Sequence, residues 1–528
     1  MQKPSRHTIL FALIALVGAV VITRGSVNQP GYTDAYYHFN AAERLVSGAG
    51  LTDETLWTYV TLPDELPAPS HQYWMPFASL LAAASMGLFN APGDYTVAQL
   101  PFTLMLAGTA GVGFWLGGKL GSGRRHAWVA GLVTLFSGFF TRFWGATDTF
   151  APYSLVGSLC LVLIGLGISS DSEDKRAVPT DVYWGLAGVF AGLGHLTRAD
   201  GLLLLIVAWT VILWHRLRTG TRYTSLRYLV ILTLGYLLIM TPWFVRSIEA
   251  NGTPLPVGGT QALWYTEYND LFSYPVDANA GTFFADGLNL LITSRWEALT
   301  NNLGTFTAVE GLVVMTPLML IGLWQQRRES FLRGFWLYAL GLHLAMTLIF
   351  PFPGYRGGLF HSAAALVPWW AALGVVGLDD TVNWIAQRRR TWNAAVAKGV
   401  FSVALVVLAI ALSLSVISGR RTDTETPRLY RELSTRLPTH ARVMINDPAA
   451  LYYYTGLGGV VLPNEAPDII PEIARRYGVG YLLVEILPDD GRMVNVPAPL
   501  VFDPEMPPTF LEPVELELDN MRLYAIHF

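Results

Sequence analysis

The sequence predicts a polytopic, all-α membrane domain followed by a small soluble α/β domain. Three observations support this fold class. Hydrophobic residues make up 52% of the 528 residues and charged residues only 14%, whereas a soluble domain would carry about 25% charged residues. Apolar stretches long enough to cross a bilayer recur along the first 420 residues. The remaining residues instead alternate short strand and helix patterns.

Composition also bears on the protein class. The net charge of -4 and the lack of a basic tract interleaved with aromatic residues argue against nucleic-acid binding. Cys160 is the single cysteine, so disulfides within the chain are excluded, and a small buried core residue is the favoured interpretation over a thiol nucleophile. Lys3 and Arg6 precede the first apolar run, but no small-x-small cleavage site follows, which predicts an uncleaved anchor.

Eleven apolar stretches approach the roughly 20 residues that a helix needs to cross a bilayer. They lie near residues 8–23, 98–118, 127–143, 151–168, 182–197, 200–215, 227–246, 308–325, 334–350, 361–378 and 398–418. A twelfth stretch, Tyr73 to Phe89, is shorter and contains Pro76. We predict that this stretch is a juxtamembrane helix on the outer face and does not cross the membrane.

The distribution of basic residues supports this topology, because Lys and Arg concentrate in cytoplasmic loops. If residues 73–89 do not cross, every basic cluster falls on one side of the membrane. The prediction is a multi-pass plasma membrane protein with a cytoplasmic N-terminus, large external loops at 24–97 and 247–307, and an extracytoplasmic C-terminal domain. The clusters are Lys3/Arg6, Lys119/Arg124/Arg125, Lys175/Arg176, Arg216/Arg218/Arg222/Arg227, Arg327/Arg328/Arg333 and Arg388/Arg389/Arg390/Lys398.

Ionisable side chains gather in the predicted outer loops. Asp34 and His38 follow the first span, and Asp148 is held in a short turn between two spans. A carboxylate at the membrane surface suggests chemistry on a substrate that also resides in lipid. Polar residues that simply begin a loop, and an Asp148 that caps the next helix, are the structural alternatives. His71 could meet a phosphate or a metal, or be a solvated loop histidine.

Two further outer turns carry cations. Arg198 and Asp200 stand in a turn within a long apolar stretch, where they could bind a phosphate or close the turn as an ion pair. Arg356 lies among glycines that let the backbone approach a ligand, and His361 follows it. The Arg356 guanidinium and the His361 imidazole would suit an anionic lipid phosphate, although basic residues at helix ends often reach only to lipid headgroups.

This layout resembles the GT-C glycosyltransferase superfamily over roughly residues 1 to 420. The resemblance rests on Asp34 after the first span, the juxtamembrane helix, the Asp148 turn, the external Arg198-x-Asp200-Gly201 turn and the soluble C-terminal domain. The superfamily includes protein O-mannosyltransferases, lipid A aminoarabinose transferases and the catalytic subunit of oligosaccharyltransferase. It implies a membrane enzyme of the cell envelope that uses a polyprenyl-phosphate-linked sugar donor.

The resemblance also implies roles for individual residues. Asp34 matches the family's catalytic carboxylate, which acts on the acceptor as a base or orients it, and Asp148 matches a second acidic position that helps to bind a divalent cation. The implied cofactor is therefore a magnesium or manganese ion at Asp34 and Asp148. Residues expected to bind substrate are Asp148, Arg198, Asp200, Arg356, His361, His38 and His71.

One departure from the superfamily narrows the expected reaction. Trp369 and Trp370 are followed by two alanines, so the Trp-Trp-Asp acceptor motif of oligosaccharyltransferases is missing. This favours transfer of a single hexose or pentose to a glycan, lipid or protein acceptor, by one displacement that inverts the anomeric centre. The alternative function is a transporter or lipid flippase. Such a protein should carry ionisable residues or broken helices near the bilayer midplane, and the sequence indicates neither.

The segment 421–528 predicts a small α/β domain with a largely parallel sheet. Because this segment contains no glycine-rich phosphate loop or nucleophile motif, we expect an accessory domain that binds the acceptor. Predicted helices cover Arg428 to Leu437, Pro448 to Thr455 and Ile469 to Tyr477, and predicted strands cover Ala441 to Ile445, Val460 to Leu462, Tyr481 to Glu485 and Met521 to Ile526.

Overall fold

A computed structural model describes residues 5–170, 178–220, 222–256, 258–285, 287–389, 391–418, 427–489 and 491–527. Four residues of the predicted basic clusters lie outside these ranges, namely Lys3, Lys175, Arg176 and Arg390. The predicted domain boundary at residues 420 and 421 also lies outside the described residues.

The first half of the chain is helical apart from three short strands within residues 52–69. A 3₁₀ turn at Gly138–Arg142 precedes α7, and another at Ala199–Gly201 joins α8 to α9. In chain order the elements are α1 (Arg6–Ser26), α2 (Thr33–Val46), β1 (Thr52–Asp53), β2 (Thr55–Leu56), β3 (Ala68–Pro69), α3 (Phe77–Leu88), α4 (Tyr95–Ala98), α5 (Leu100–Leu120), α6 (Arg124–Leu135), α7 (Phe150–Ser170), α8 (Thr180–Thr197), α9 (Leu202–Thr219) and α10 (Arg222–Asn251).

The second half of the membrane domain is less regular. Three π-helical segments, Thr305–Glu310, Ala345–Ile349 and Gly354–Gly358, interrupt its helices, and short 3₁₀ turns occur at Ala262–Trp264, Tyr268–Phe272, Ser330–Leu332 and Ala364–Leu366. The α-helices are α11 (Gly258–Gln261), α12 (Ala280–Ala285), α13 (Gly287–Gly304), α14 (Thr316–Gln325), α15 (Arg333–Leu344), α16 (Pro351–Pro353), α17 (Leu359–Ala363), α18 (Val367–Ala386) and α19 (Ala394–Ser418).

Among the described residues, eight helical stretches are long and apolar enough to cross a membrane, which identifies a multi-pass membrane protein. They are Arg6–Ser26, Tyr95–Leu120, Phe150–Ser169, Ala199–Arg218, Thr224–Asn251, Ser330–Ile349, Pro351–Ala386 and Ala394–Ser418. Helix α3 has 12 residues, or about 18 Å of length, which is too short to cross the roughly 30 Å of bilayer hydrocarbon. This length agrees with a helix that does not span.

Three of the eleven predicted spans fall outside these eight stretches. Near 127–143, α6 ends at Leu135 and gives way to the 3₁₀ turn. Near 308–325, the π segment ends at Glu310 and α14 begins only at Thr316, because Leu312 and Val313 adopt the left-handed φ values 45° and 65°. Near 182–197, α8 is one unbroken helix of 18 residues, but it is less apolar than the eight stretches. The two breaks near 127–143 and 308–325 depend on tertiary packing and are not visible in a hydropathy pattern.

A buried ion pair and a helix break inside the membrane domain were not anticipated from the sequence. The helix breaks directly after Glu310, and Glu310 Oε1 lies 3.0 Å from His343 Nε2. Trp370 Nε1 donates to the other Glu310 oxygen at 2.8 Å, and His343 Nδ1 lies 2.8 Å from the carbonyl oxygen of Ala339. Both carboxylate oxygens therefore have partners, as a buried carboxylate requires. Residues from distant parts of the chain supply these partners.

Glycines allow the closest helix contacts. A Cβ at Gly188 of α8 would overlap the Leu232 carbonyl oxygen of α10, and a Cβ at Gly377 of α18 would overlap the Leu318 carbonyl oxygen of α14. Small residues at such positions let helix backbones approach and gain van der Waals contact, which drives helix association in membranes. Elsewhere in the interior, large aromatic side chains such as Trp144 and Trp369 are fully buried.

The C-terminal segment forms a mixed sheet with helices. Each element predicted from residue 428 onward overlaps an observed one, but the sheet is not largely parallel. Its order is β2-β5-β4-β6-β9-β8, with β7 beside β6; the pairs from β2 to β6 are parallel and the others antiparallel. The elements are α20 (Arg428–Arg436), β4 (Arg442–Met444), α21 (Pro448–Thr455), β5 (Gly458–Val460), α22 (Ile470–Tyr477), β6 (Tyr481–Ile486), β7 (Met493–Val494), β8 (Leu511–Val514) and β9 (Met521–Ile526), with 3₁₀ turns at Pro467–Ile469 and Ala498–Leu500.

The segment between α2 and α3 contributes a strand to this sheet. Its strand β2 pairs with β5 in parallel, with Thr55 opposite Gly459. The Tyr59 hydroxyl donates to the carbonyl oxygen of Val461 at 2.5 Å, and Arg476 donates to the carbonyl oxygen of Leu62 at 2.8 Å. The C-terminal segment and the loop that contains Asp34 are therefore built as one unit, which bears directly on the site.

Candidate active site

Asp34 lies in the first turn of α2. The helix begins at Thr33, after Gly31 in a left-handed conformation (φ 79°) and an extended Tyr32. A carboxylate in the first turn is stabilised by the helix dipole. The Thr147 hydroxyl donates to the carbonyl oxygen of Ala35 at 2.9 Å, which holds this turn against the segment before α7. The Asp34 side chain keeps 28% of its surface exposed, so a substrate can reach it.

Asp148 is fully buried directly before α7. One carboxylate oxygen accepts the backbone N–H of Thr149, and the other accepts the Tyr32 hydroxyl at 2.7 Å. Asp148 therefore bonds the backbone N–H of the residue before α7, which is not the predicted helix cap because the helix begins at Phe150. Its other oxygen faces the segment that contains Asp34. Tyr32 was not anticipated from the sequence, since 116 residues separate it from Asp148.

Arg198 connects two of the predicted outer turns. Its Nε donates to Asp200 Oδ1 at 3.0 Å and to Ser362 Oγ at 2.8 Å, and its Nη1 donates to His361 Nδ1 at 2.9 Å. Ser362 Oγ in turn donates to the second oxygen of Asp200. Asp200 therefore holds the guanidinium in place, and the guanidinium holds the His361 ring.

Asp34, Asp148 and His361 converge from three separate segments. Nε2 of His361 lies 4.0 Å from Asp34 Oδ2 and 4.0 Å from Asp148 Oδ2. One ligand atom from each residue falls within 4.8 Å of the others. Two carboxylates, an imidazole and the adjacent Arg198 guanidinium thus form the core of the candidate site, at the end of the helices where α1 ends and α7 begins.

The two carboxyl groups influence each other. Desolvation by the surrounding protein and the negative charge of Asp148 raise the pKa of Asp34 to about 8, although the positive charge of Arg198 and a hydrogen bond from the Trp74 side chain act in the opposite direction. Burial also raises the pKa of Asp148, against the opposing effects of its Thr149 and Tyr32 hydrogen bonds. Two nearby carboxyl groups with raised pKa values are typical of catalytic and cation-binding sites.

The hydrogen bond between Arg198 and His361 determines which side chains of the site could be ligands of a cation. A guanidinium can only donate, so His361 Nδ1 accepts from Arg198 and the neutral ring carries its proton on Nε2. That N–H points toward the gap between Asp34 and Asp148. Both carboxylates fit a divalent cation such as magnesium or manganese. The imidazole does not fit as a ligand while Arg198 donates to Nδ1, and it instead offers a proton donor to the gap.

Arg356 stands apart from this cluster. Its guanidinium is exposed and lies 5.1 Å from the centroid of the Tyr268 ring. Tyr268 is near enough to both Arg356 and Asp34 for each charge to affect its hydroxyl. Arg356 therefore lies at the rim of the site, separated from Asp34 by a tyrosine.

His38 and His71 lie in the protein interior near Asp34, and both are fully buried. Ser79 Oγ lies 2.9 Å from His38 Nδ1 and 2.9 Å from His71 Nε2, and His71 Nδ1 lies 2.8 Å from Ser70 Oγ. Both nitrogens of His71 thus have serine partners. The structure therefore places His71 inside the protein and not in a solvated loop, because the loop before α3 folds inward.

The C-terminal segment reaches the site through Asp447, which the sequence analysis did not single out. Asp447 caps α21 by accepting the backbone N–H of Ala450 at 3.0 Å, and its other oxygen accepts the Thr33 hydroxyl at 2.8 Å. Thr33 precedes Asp34 directly. The Asn446-Asp447-Pro448 pattern could have indicated the helix cap, but the contact with Thr33 spans 414 residues and has no local signal.

Comparisons with known proteins give structural matches only. No family model matches the chain, and no curated protein matches it. The archaeal oligosaccharyltransferase AglB from Archaeoglobus fulgidus, in complex with an inhibitory peptide and a dolichol-phosphate, superposes with a TM-score of 0.60 at 12% identity over 90% of this chain and 69% of that one. ArnT from Cupriavidus metallidurans, bound to undecaprenyl phosphate, superposes with a TM-score of 0.57 at 13% identity over 98% and 97% of the two chains.

The chain has the GT-C fold. The resemblance inferred from the loop layout is thereby confirmed at the level of the fold. A further AglB structure, a complex with Zn and sulfate, matches the same GT-C arrangement with a TM-score of 0.59 at 12% identity over 90% of this chain and 68% of that one. The match with ArnT extends along nearly the full length of both chains, so the GT-C similarity includes the C-terminal segment.

Proposed function

We propose that the protein transfers a hexose or pentose from a polyprenyl-phosphate-linked donor to an acceptor hydroxyl. The observation that carries this proposal is the convergence of Asp34, Asp148 and His361 within 4.8 Å of one another, beside the Arg198 guanidinium at a membrane surface. The fold supports a lipid-linked donor, since the similar AglB and ArnT structures hold dolichol-phosphate and undecaprenyl phosphate.

The proposed chemistry uses the partly exposed Asp34 as the base. Asp34 accepts the proton of the acceptor hydroxyl while that oxygen attacks the anomeric carbon, and the bond to the donor phosphate breaks on the opposite face. A positioned base of this kind contributes roughly 10²- to 10⁴-fold in rate. The configuration at the anomeric carbon is inverted, and no covalent enzyme intermediate is needed.

The leaving phosphate needs positive partners as its charge develops. Arg198 and the Nε2–H of His361 can supply them, because His361 Nε2 lies between the two carboxylates and the charge of Arg198 acts on both of them. Arg356 at the rim could contact the phosphate before or after transfer. A divalent cation held by Asp34 and Asp148 would supply further charge stabilisation at the phosphate.

We propose that the site faces the outside of the cell membrane, with eleven spans, a cytoplasmic N-terminus and an extracytoplasmic C-terminal domain. Support comes from the opposite end of the helices, where Arg125 Nη2 contacts both oxygens of Asp379 at 2.5 and 2.6 Å, and Lys398 lies 3.7 Å from the same carboxylate. Asp379 stands 18 residues beyond His361 in the sequence, or about 27 Å along a helix. The basic clusters that contain Arg125 and Lys398 thus lie far from the site, as the positive-inside rule requires.

The contacts of the C-terminal segment with α2 indicate the direction from which the acceptor would approach. Asp447 and Tyr454 contact α2 through Thr33 at 2.8 Å and Tyr36 at 2.9 Å. The acceptor, which we expect to be a glycan, lipid or protein hydroxyl, would approach Asp34 from this direction, while the lipid-linked donor approaches from the membrane.

Transfer of radiolabelled sugar tests the proposal. Purified protein in lipid vesicles is incubated with undecaprenyl-phosphate mannose or undecaprenyl-phosphate arabinose and with an envelope extract as the acceptor source. We expect label in the acceptor fraction with wild type and with the exposed control Asp64→Asn, and its loss with Asp34→Asn and Asp148→Asn. Equal labelling by all four proteins would refute the assigned site.

The Glu310–His343 pair and the helix break after Glu310 are features that a transporter would also have. They warrant a direct test of that alternative in the same vesicles. If wild type moves labelled undecaprenyl-phosphate sugar between the two leaflets and no donor supports transfer, the protein is a flippase and the transferase proposal is wrong.

A further inference from the structure

His38 has one ring nitrogen without a partner. The residue is fully buried, its Nδ1 is hydrogen-bonded to Ser79, and its Nε2 has no hydrogen-bond partner among the described residues. Buried polar atoms are hydrogen-bonded in the large majority of cases, because an unpaired one loses its bonds to water without replacement. A buried nitrogen left unpaired beside a candidate active site indicates that a ligand atom supplies the missing bond.

The His38 ring is held in a fixed orientation. Ser79, its partner at Nδ1, belongs to α3 and also contacts Nε2 of His71 at 2.9 Å. The rings of Tyr37 and Trp74 pack against His38 at centroid distances of 5.6 and 6.5 Å. The hydrogen-bonding directions of the two imidazole nitrogens diverge. Because Nδ1 points toward Ser79 of α3, Nε2 points away from that helix.

The position of His38 on α2 places it on the donor side of the site. His38 follows Asp34 by four residues, so both lie on one face of the helix. Thr33, Tyr36 and Asn40 lie on another face and bond the C-terminal segment. The positive charge of Arg198 acts on His38, and His38 acts on His361. Arg198 and His361 both belong to the membrane-embedded part, where a lipid-linked donor must lie.

The chemistry of this nitrogen suits a hydroxyl group. Burial and the charge of Arg198 lower the pKa of His38 to about 3, so the ring is neutral at physiological pH. A neutral imidazole nitrogen either donates or accepts, depending on its tautomer. A hydroxyl can be the partner in both cases, whereas a phosphate oxygen can only accept. The cationic Arg198 is the better partner for the phosphate.

We propose that Nε2 of His38 hydrogen-bonds a hydroxyl group of the sugar carried by the lipid-linked donor. The proposal rests on the transferase function and extends it, because it identifies a residue that recognises the sugar and not the lipid phosphate. His38 would thereby help to select which sugar is transferred, by leaving a buried nitrogen unpaired when the matching hydroxyl is missing.

Two substitutions separate the two nitrogens. In His38→Asn the amide occupies the position of Nδ1 and retains the Ser79 bond, whereas in His38→Gln the amide reaches the position of Nε2. Equilibrium binding is measured with labelled undecaprenyl phosphate and with undecaprenyl-phosphate mannose and undecaprenyl-phosphate arabinose, on full-length protein in vesicles. Thermal unfolding of each variant reports whether the fold is retained.

We expect His38→Asn to raise Kd about tenfold for the sugar-loaded donor that wild type binds, and to leave Kd for undecaprenyl phosphate unchanged. His38→Gln should stay within about threefold of wild type for both. Equal Kd values for His38→Asn and wild type would overturn the proposal, as would equal weakening toward both ligands. If wild type itself binds no sugar-loaded donor, the transferase function fails, and this inference fails with it.

Discussion

Replacing Asp34 by asparagine should change how the stability of the protein depends on pH. The pKa of Asp34 is about 8 in the folded protein, against an ordinary value of 3.8. Because the folded value is the higher one, the folded protein binds more protons than the unfolded chain between these pH values. The favourable contribution of Asp34 is fully present below about pH 4 and is lost as the pH rises through about 8. Asp34→Asn removes this titration.

The magnitude follows from the two pKa values. Each pH unit between them lowers the free energy of unfolding of wild type by about 1.4 kcal/mol. From pH 5 to pH 8 the loss due to Asp34 is therefore about 4 kcal/mol. The side chain is mostly enclosed, with 28% of its surface exposed, so solvent screening reduces this value only in part. Asp34→Asn should become progressively more stable than wild type over this range.

The assay is thermal unfolding in detergent micelles, followed by tryptophan fluorescence at pH 5, 6, 7 and 8. The difference in apparent Tm between Asp34→Asn and wild type should grow by several degrees as the pH rises. Asp64→Asn is the matched control, because its carboxylate is fully exposed in the same part of the chain, between α1 and α3, and it should follow wild type at every pH. A pH-independent difference, or one that shrinks toward pH 8, would refute the reasoning.

Three further substitutions test the surroundings of the site. Tyr32→Phe removes the hydroxyl that donates to Asp148 at 2.7 Å and should lower kcat/KM for sugar transfer about tenfold, with an unchanged value contradicting the contact. Arg198→Lys retains the charge but cannot maintain bonds to three partners, so kcat should fall about 100-fold, measured in single-turnover transfer. Thr33→Val removes the bond to Asp447 and should lower the unfolding free energy by about 1 kcal/mol, whereas Thr33→Ser should match wild type.

Much of the site could be predicted from the sequence because its residues stand where apolar helices end. Asp34, Asp148, Arg198 and His361 each interrupt or border an apolar stretch, and charged groups are costly there unless they have a partner or a function. The positions of side chains within loops could not be read from the sequence. His71 proved internal and Arg356 peripheral, because the path of a loop depends on what it packs against.

The fold, too, could be predicted from the sequence only in part. The hydropathy pattern predicted the membrane domain and the position of most helices, and turn and cap residues predicted the elements after residue 428. The helix break after Glu310 was missed, since it depends on left-handed residues at Leu312 and Val313 and on partners such as His343. The parallel strand β2, which lies between α2 and α3, was missed because it acquires its partner β5 from a segment about 400 residues away.

The sequence by itself determined that the protein is a multi-pass membrane protein and which helix ends carry its ionisable residues. These properties follow from hydropathy and charge, which add residue by residue and can be read along the chain. Only the tertiary structure decided that Arg198 orients the His361 ring, that Asp447 contacts Thr33 and that His38 keeps a nitrogen unpaired. Such contacts depend on distances between residues far apart in sequence, which are set by the packing of the whole chain.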